Sequence, residues 1–163
     1  MDAGLLVARL VLGSLMAAHG AQKLLGWFGG YGVSATGAFF EKLGFRPGRF
    51  FAATAALAEV AGGLLMAFGL LGPVGPALVL SVMVVAAVGV HWQHGLFAMS
   101  NGIEVPLLYA TGAATLGLTG PGRLSLDAAL GLSPIWTPAL TLMVLAAGAI
   151  GGVLTLLVRR VPA

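Results

Sequence analysis

Five stretches of this chain stay apolar long enough to cross a bilayer as helices: residues 4–25, 49–70, 74–97, 103–118 and 136–158. A hydrocarbon core of about 30 Å takes roughly 20 residues of helix. The fourth stretch is the shortest and carries Pro106 in its first turn, where a missing N–H costs least. Between the first two, Phe39, Phe40 and Leu43 recur at helical spacing beside Glu41 and Lys42. That pattern predicts a short amphipathic helix over 34–44 lying in the membrane interface, with Ser34 as N-cap and Gly44 as stop. Pro47, Gly72-Pro73, Pro76, Gly120-Pro121-Gly122, Ser133-Pro134 and Pro138 mark the turns. Residues 125–132 have the makings of a second short surface helix. The expected fold is an all-α, polytopic transmembrane bundle.

Composition agrees. The chain has 163 residues, of which 59% are hydrophobic and 8% charged, too apolar for a soluble domain. Its net charge of +3 comes from basic residues scattered over helix ends and loops, so it forms no nucleic-acid patch. With no cysteine, disulfides, dithiol relays and thiolate metal sites are excluded within the chain. The first twenty residues resemble a signal peptide in apolarity, but Met-Asp-Ala-Gly lacks the basic start, so a retained first span is expected. Lys42, Arg46, Arg49, Arg159 and Arg160 fall on one side of five spans, and Arg123 with Asp2 and Asp127 on the other. The positive-inside rule then puts the N-terminus outside and the C-terminus in the cytoplasm.

Against this apolar background the polar residues stand out. Arg9, His19 and Lys23 share one side of the first span, since 14 residues at about 100° bring Arg9 and Lys23 back to within about 40°. Glu59 lies mid-span in the second stretch, before Gly62-Gly63, where a neighbouring helix can approach closely. His91 and His94 sit at i, i+3 near the end of the third, and Glu104 opens the fourth. His19, Lys23, His91, His94 and Glu104 are thus expected at one depth, with Glu59 below them and Arg9 nearer the opposite face. A charged group at membrane depth requires partners, on insertion scales against a cost of about 2.5–3.5 kcal/mol, and Glu59 is expected to neutralise Arg9 or Lys23; for Arg9, pairing with Glu59 is preferred over reaching the outer interface. Simpler roles stand beside these: Lys23 snorkelling to headgroups, the histidines as interfacial residues beside Trp92, Glu104 favouring its own helix N-terminus. Glu59 fits a simple role least.

The chemistry offered by this set is that of a quinone site. Quinone carbonyls accept from Lys or His, and Glu59 and Glu104 are the candidate proton-exchanging, catalytic carboxylates; Arg9, His19, Lys23, His91 and His94 are the candidate ligand-binding residues. Haem fits less well, because bis-histidine ligation needs two imidazoles facing one cavity at matching depth. No metal site is expected.

The blocks RLVLGSLMAAHGAQKLLGWFGGYG, FFEKLGFRP, AEVAGGLLMAFGLL, HWQHGLF, NGIEVPLLY and TGPGRLSLD occur in that order, and in them the chain resembles the DoxX family of small membrane proteins. The resemblance implies a four-helix bundle in the cytoplasmic (inner) membrane over residues 1–132, with 133–163 an additional C-terminal transmembrane helix and short basic tail. It also implies association with membrane oxidoreductase complexes and resistance to oxidative stress, and it marks Arg9, His19, Lys23, Glu59, Glu104 and Asp127. The leading expectation is therefore a membrane subunit of a quinone-linked redox system, whether or not the chain is itself an enzyme. A non-catalytic anchor for partner enzymes and a small-molecule carrier are the alternatives. Expected partners are the lipid bilayer, redox partner proteins and further copies of the chain.

Overall fold

The computed structural model describes residues 2–160. Helix α1 (Asp2–Leu25) crosses the bundle, α2 (Gly32–Lys42) lies across its far end, and α3 (Gly48–Phe68) returns. Helix α4 (Val74–Ala86) crosses again and is prolonged by a π-helical segment (Ala87–His91) and a 3-10 turn (Trp92–His94). Then follow α5 (Glu104–Thr119), the single turn α6 (Leu126–Ala129) and α7 (Pro138–Leu157). Four helices, 2–25, 48–68, 74–94 and 138–157, are long and apolar enough to span a membrane.

The fifth expected span is the exception. Helix α5 has 16 residues, about 24 Å at 1.5 Å per residue. It still traverses the bundle: Glu104 N donates to Leu96 O at one end, and beyond the other end Arg123 N donates to Asp2. The described residues therefore make five passes, and Asp2 and Arg160 lie at opposite ends of the bundle. Asp2 pairs with Arg123 at one, and Arg160 N donates to Gly44 O at the other. Lys42, Arg46, Arg49 and Arg159 share the second, basic end.

Small residues let the helices touch. A Cβ on Gly13 would meet Gly63 O at 2.5 Å, and one on Gly63 would meet Ala17 N at 2.5 Å, so α1 and α3 are in backbone contact. Gly20 repeats the device against Ala56 and Val60. Helix α7 uses Gly148 and Gly152 against Ala77 and Ser81 of α4, which makes the C-terminal span an integral layer of the bundle. Met16, Met66, Val79, Val82, Met83, Ala113 and Leu116 fill the centre between α1, α3, α4 and α5. Leu15, Leu57, Leu64, Leu108, Leu142 and Ile150 face outward, as lipid-facing positions should.

Several boundaries differ from the sequence expectation for local reasons. Helix α3 stops at Phe68 because Gly69 is left-handed (φ 62°), and α4 does not reach residue 97 because Gly95 (φ 82°) turns the chain. Helix α2 begins two residues before Ser34, with no side-chain cap; Ser34 accepts instead from Arg49 at 2.8 Å. At the end opposite the basic residues, the fully buried Asp127 accepts from Leu71 N (2.8 Å) and Gly72 N (2.6 Å) and so ties α6 to the α3–α4 turn.

Candidate functional site

Lys23, in the last turn of α1, donates to Glu59 Oε1 in the middle of α3. Glu59 is 1% exposed, and its Oε2 has no hydrogen-bond partner among the described residues. The Lys23 side chain is 30% exposed. The pairing follows from register. Helices α1 and α3 run antiparallel with Gly13 against Gly63 and Gly20 against Ala56 and Val60, so Glu59 falls about a turn from Lys23 and well away from Arg9.

That register overturns the expected pairing of Arg9 with Glu59. Arg9 lies 14 residues from Lys23, about 21 Å along α1. It is buried beside Gly69 and Ser125 and donates to Leu124 O, while its Nε and Nη1 are buried with no partner among the described residues. Arg9 thus belongs to the opposite end of the bundle, with α6.

Lys23 borders a cavity of about 520 Å³ at the basic end. Its walls come from α1, the 26–31 loop, α2, Phe45 and α4, with Phe39, Phe40, Leu43, Phe45, Val82 and Val85 supplying apolar surface. Phe45 is 1% exposed and is packed against Phe40 and Phe51, with the Arg159 guanidinium 5.9 Å above its ring. The polar groups are few: Gln22, Lys23, Tyr31, Thr36 and His91. Gln22 Nε2 donates to Phe28 O at 3.1 Å, and Gly30 rests on the Gln22 backbone so closely that no Cβ would fit. The aromatic loop is thereby folded back onto the end of α1.

His91 enters the cavity from the π-helical segment, a local widening that often marks functional positions. Its Nδ1 lies 2.7 Å from Asn101 O. A carbonyl only accepts, so Nδ1 carries the proton and Nε2 of the neutral ring presents a lone pair. His91 is therefore a proton acceptor rather than a donor when neutral.

The remaining candidates are placed elsewhere. His19 is exposed and packs edge-on to Tyr109, ring centroids 5.7 Å apart, and does not border the cavity. His94 donates through Nδ1 to Val90 O at 3.1 Å, and Glu104 accepts from Ala98 N at 2.7 Å, so both belong to the α4–α5 connection. Of the expected cluster the structure brings together Lys23, Glu59 and His91, and adds Gln22, Tyr31 and Phe45. Tyr31 and Phe45 lie in turns, where helical periodicity gives no signal. Among the described residues no three His, Asp or Glu side chains are grouped to hold a metal ion.

A second cavity of about 520 Å³ lies at the opposite end, bordered by Asp2, Pro73, Arg123, Trp136 and Thr141. Its charged groups, Asp2 and Arg123, already pair with each other at 3.0 Å at the surface. The cavity beside Lys23 is the better candidate, because a buried carboxylate sits directly behind its cation.

The DoxX family model matches residues 4–92, a span that contains every residue bordering the cavity at the basic end, from Gln22 to His91. Neither a curated protein nor a solved structure matches the chain.

Proposed function

The chain belongs to the DoxX family, and from that premise we propose that this multi-pass membrane protein is the membrane subunit of a quinone-linked redox system, holding a small apolar, quinone-like ligand in the cavity beside Lys23. The observation that carries the reading is the Lys23–Glu59 ion pair at the polar end of an otherwise aromatic and aliphatic cavity. Its volume lies within the range of about 300–1,000 Å³ usual for small-molecule sites. A quinone supplies two-electron, two-proton carbonyl chemistry when bound. The donor set fits its headgroup: Lys23 Nζ has three hydrogens, of which Glu59 takes one, and His91 Nε2 can accept the proton of a hydroquinone hydroxyl. With no cysteine the chain has no dithiol to supply electrons, and in this reading they come from a partner protein.

In this reading the basic end faces the cytoplasm by the positive-inside rule, the N-terminus is outside and the membrane is the cytoplasmic (inner) one. Ligand would reach the cavity from the lipid phase, past α2.

Trp27 and Trp92 adjoin the cavity-bordering Gly29 and His91, whereas Trp136 borders the opposite cavity, so in a Trp136→Phe background the fluorescence comes from the end of the bundle that holds Lys23. Titration of the detergent-purified protein with a short-chain quinone should give saturable quenching, weakened about tenfold or more in Lys23→Ala, the loss expected for a charge-assisted hydrogen bond of about 1.5–3 kcal/mol. Quenching that is linear in quinone and unchanged in Lys23→Ala would overturn the proposal.

A further inference from the structure

The connection between α4 and α5 pairs most of its own backbone N–H groups. Over residues 95–104, Gly95 N donates to Trp92 O, Ser100 N to Phe97 O, Asn101 N to Ala98 O, Gly102 N to Phe97 O, Ile103 N to Gly95 O and Glu104 N to Leu96 O. The Glu104 carboxylate turns back to take Ala98 N at 2.7 Å, and the Ser100 hydroxyl donates to His94 O and Phe97 O, both at 2.9 Å. The His91 ring holds Asn101 O. Seven of the ten backbone N–H groups over residues 95–104 are thus paired within the connection, those of Leu96, Phe97 and Met99 being the exceptions, which lowers the cost of moving it out of bulk water into the membrane interface.

Beside the exposed Gln93, His94, Ser100 and Asn101, its outer surface carries large apolar side chains. Residues 95–103 carry no charge, and Leu96, Phe97 and Met99 are 50%, 67% and 102% exposed, beside Trp92 at 69%. Nothing among the described residues covers them. The Asn101–His91 bond shows that the loop folds back alongside the π-helical segment that prolongs α4 instead of extending beyond it. Helix α5, at about 24 Å, falls about 6 Å short of a 30 Å hydrocarbon core, and the folded-back loop lies at the end where that shortfall can be made up.

We infer that the 95–102 hairpin is a membrane-inserted tip whose Leu96, Phe97 and Met99 side chains enter the boundary between headgroups and acyl chains of the bilayer, completing the short fifth pass. The partner is lipid. Glu104 acts here as a positioning residue: its carboxylate satisfies the tip's Ala98 N–H from the first turn of α5. This inference stands apart from the quinone reading and survives its failure.

The absence of cysteine makes the test direct. Met99→Cys and, separately, Phe97→Cys in the full chain would carry an environment-sensitive fluorophore and be reconstituted into phosphatidylcholine–phosphatidylglycerol vesicles; Leu154→Cys, on the outward face of α7, is the lipid-exposed reference. The expected result is blue-shifted emission, loss of most of it with lipids brominated near the headgroup end of their acyl chains, and little loss with aqueous iodide. Emission at the wavelength of the label in water with full iodide quenching would overturn the inference and make the hairpin an aqueous loop. A label that neither quencher reaches would also overturn it, since the tip would then be buried against protein.

Discussion

Replacing Lys23 by Met strands the Glu59 carboxylate at 1% exposure with neither oxygen partnered among the described residues. Removing one side of a buried ion pair costs about 3–5 kcal/mol. Because Lys23 is 30% exposed, water partly reaches the gap, and we expect the low end, about 3 kcal/mol. The reverse change is cheaper. In Glu59→Met the lysine keeps a route to headgroups or water and snorkels there, so the loss should be about 1 kcal/mol. The double variant leaves two apolar side chains of similar volume and should return to within about 1 kcal/mol of the parent, a coupling of about 3 kcal/mol between the sites. The assay is equilibrium unfolding in mixed micelles, with tryptophan fluorescence as the probe, over all four proteins. Equal losses for the two single variants that add within about 0.5 kcal/mol in the double would refute the reasoning, since no buried charge would then depend on Lys23.

Further outcomes follow from the packing and from the buried hydrogen bonds. Gly63→Ala puts a methyl 2.5 Å from Ala17 N, so α1 and α3 must separate, and the same unfolding assay should show a loss of about 1–3 kcal/mol, whereas Gly29→Ala, with open space around it but a φ of 77°, should cost only the local backbone strain of about 1 kcal/mol. Asp127→Ala leaves Leu71 N and Gly72 N without their acceptor; a stability loss of about 2–4 kcal/mol is expected for two such donors, and Asp127→Asn, which retains one acceptor oxygen, should recover part of it.

The helical architecture was legible because its cause is local: long apolar stretches, punctuated by Gly and Pro, leave few other structures for a chain in lipid. Gly69 and Gly95 ended α3 and α4 earlier than hydropathy suggested, since hydropathy does not register a left-handed backbone. The site was legible only in part. Lys23 and Glu59 stood out because charge at depth requires a partner, yet which cation Glu59 takes depends on the α1–α3 register, and that is set by Gly13, Gly20 and Gly63. The i, i+3 spacing of His91 and His94 implied one shared face, but the helix turns π and then 3-10 there, and only His91 borders the cavity. Glu104 satisfies the hairpin rather than joining a cluster, because the loop before α5 doubles back onto it.

Occupation of the cavity beside Lys23 by a quinone-like molecule is best tested by photolabelling in native membranes with an azido-quinone and mapping the modified peptides. Labelling is expected within residues 22–45 and 82–91, competed by unmodified quinone and reduced in Lys23→Ala. Labelling confined to residues 117–142 around the opposite cavity, or labelling that excess quinone leaves unchanged, would contradict it.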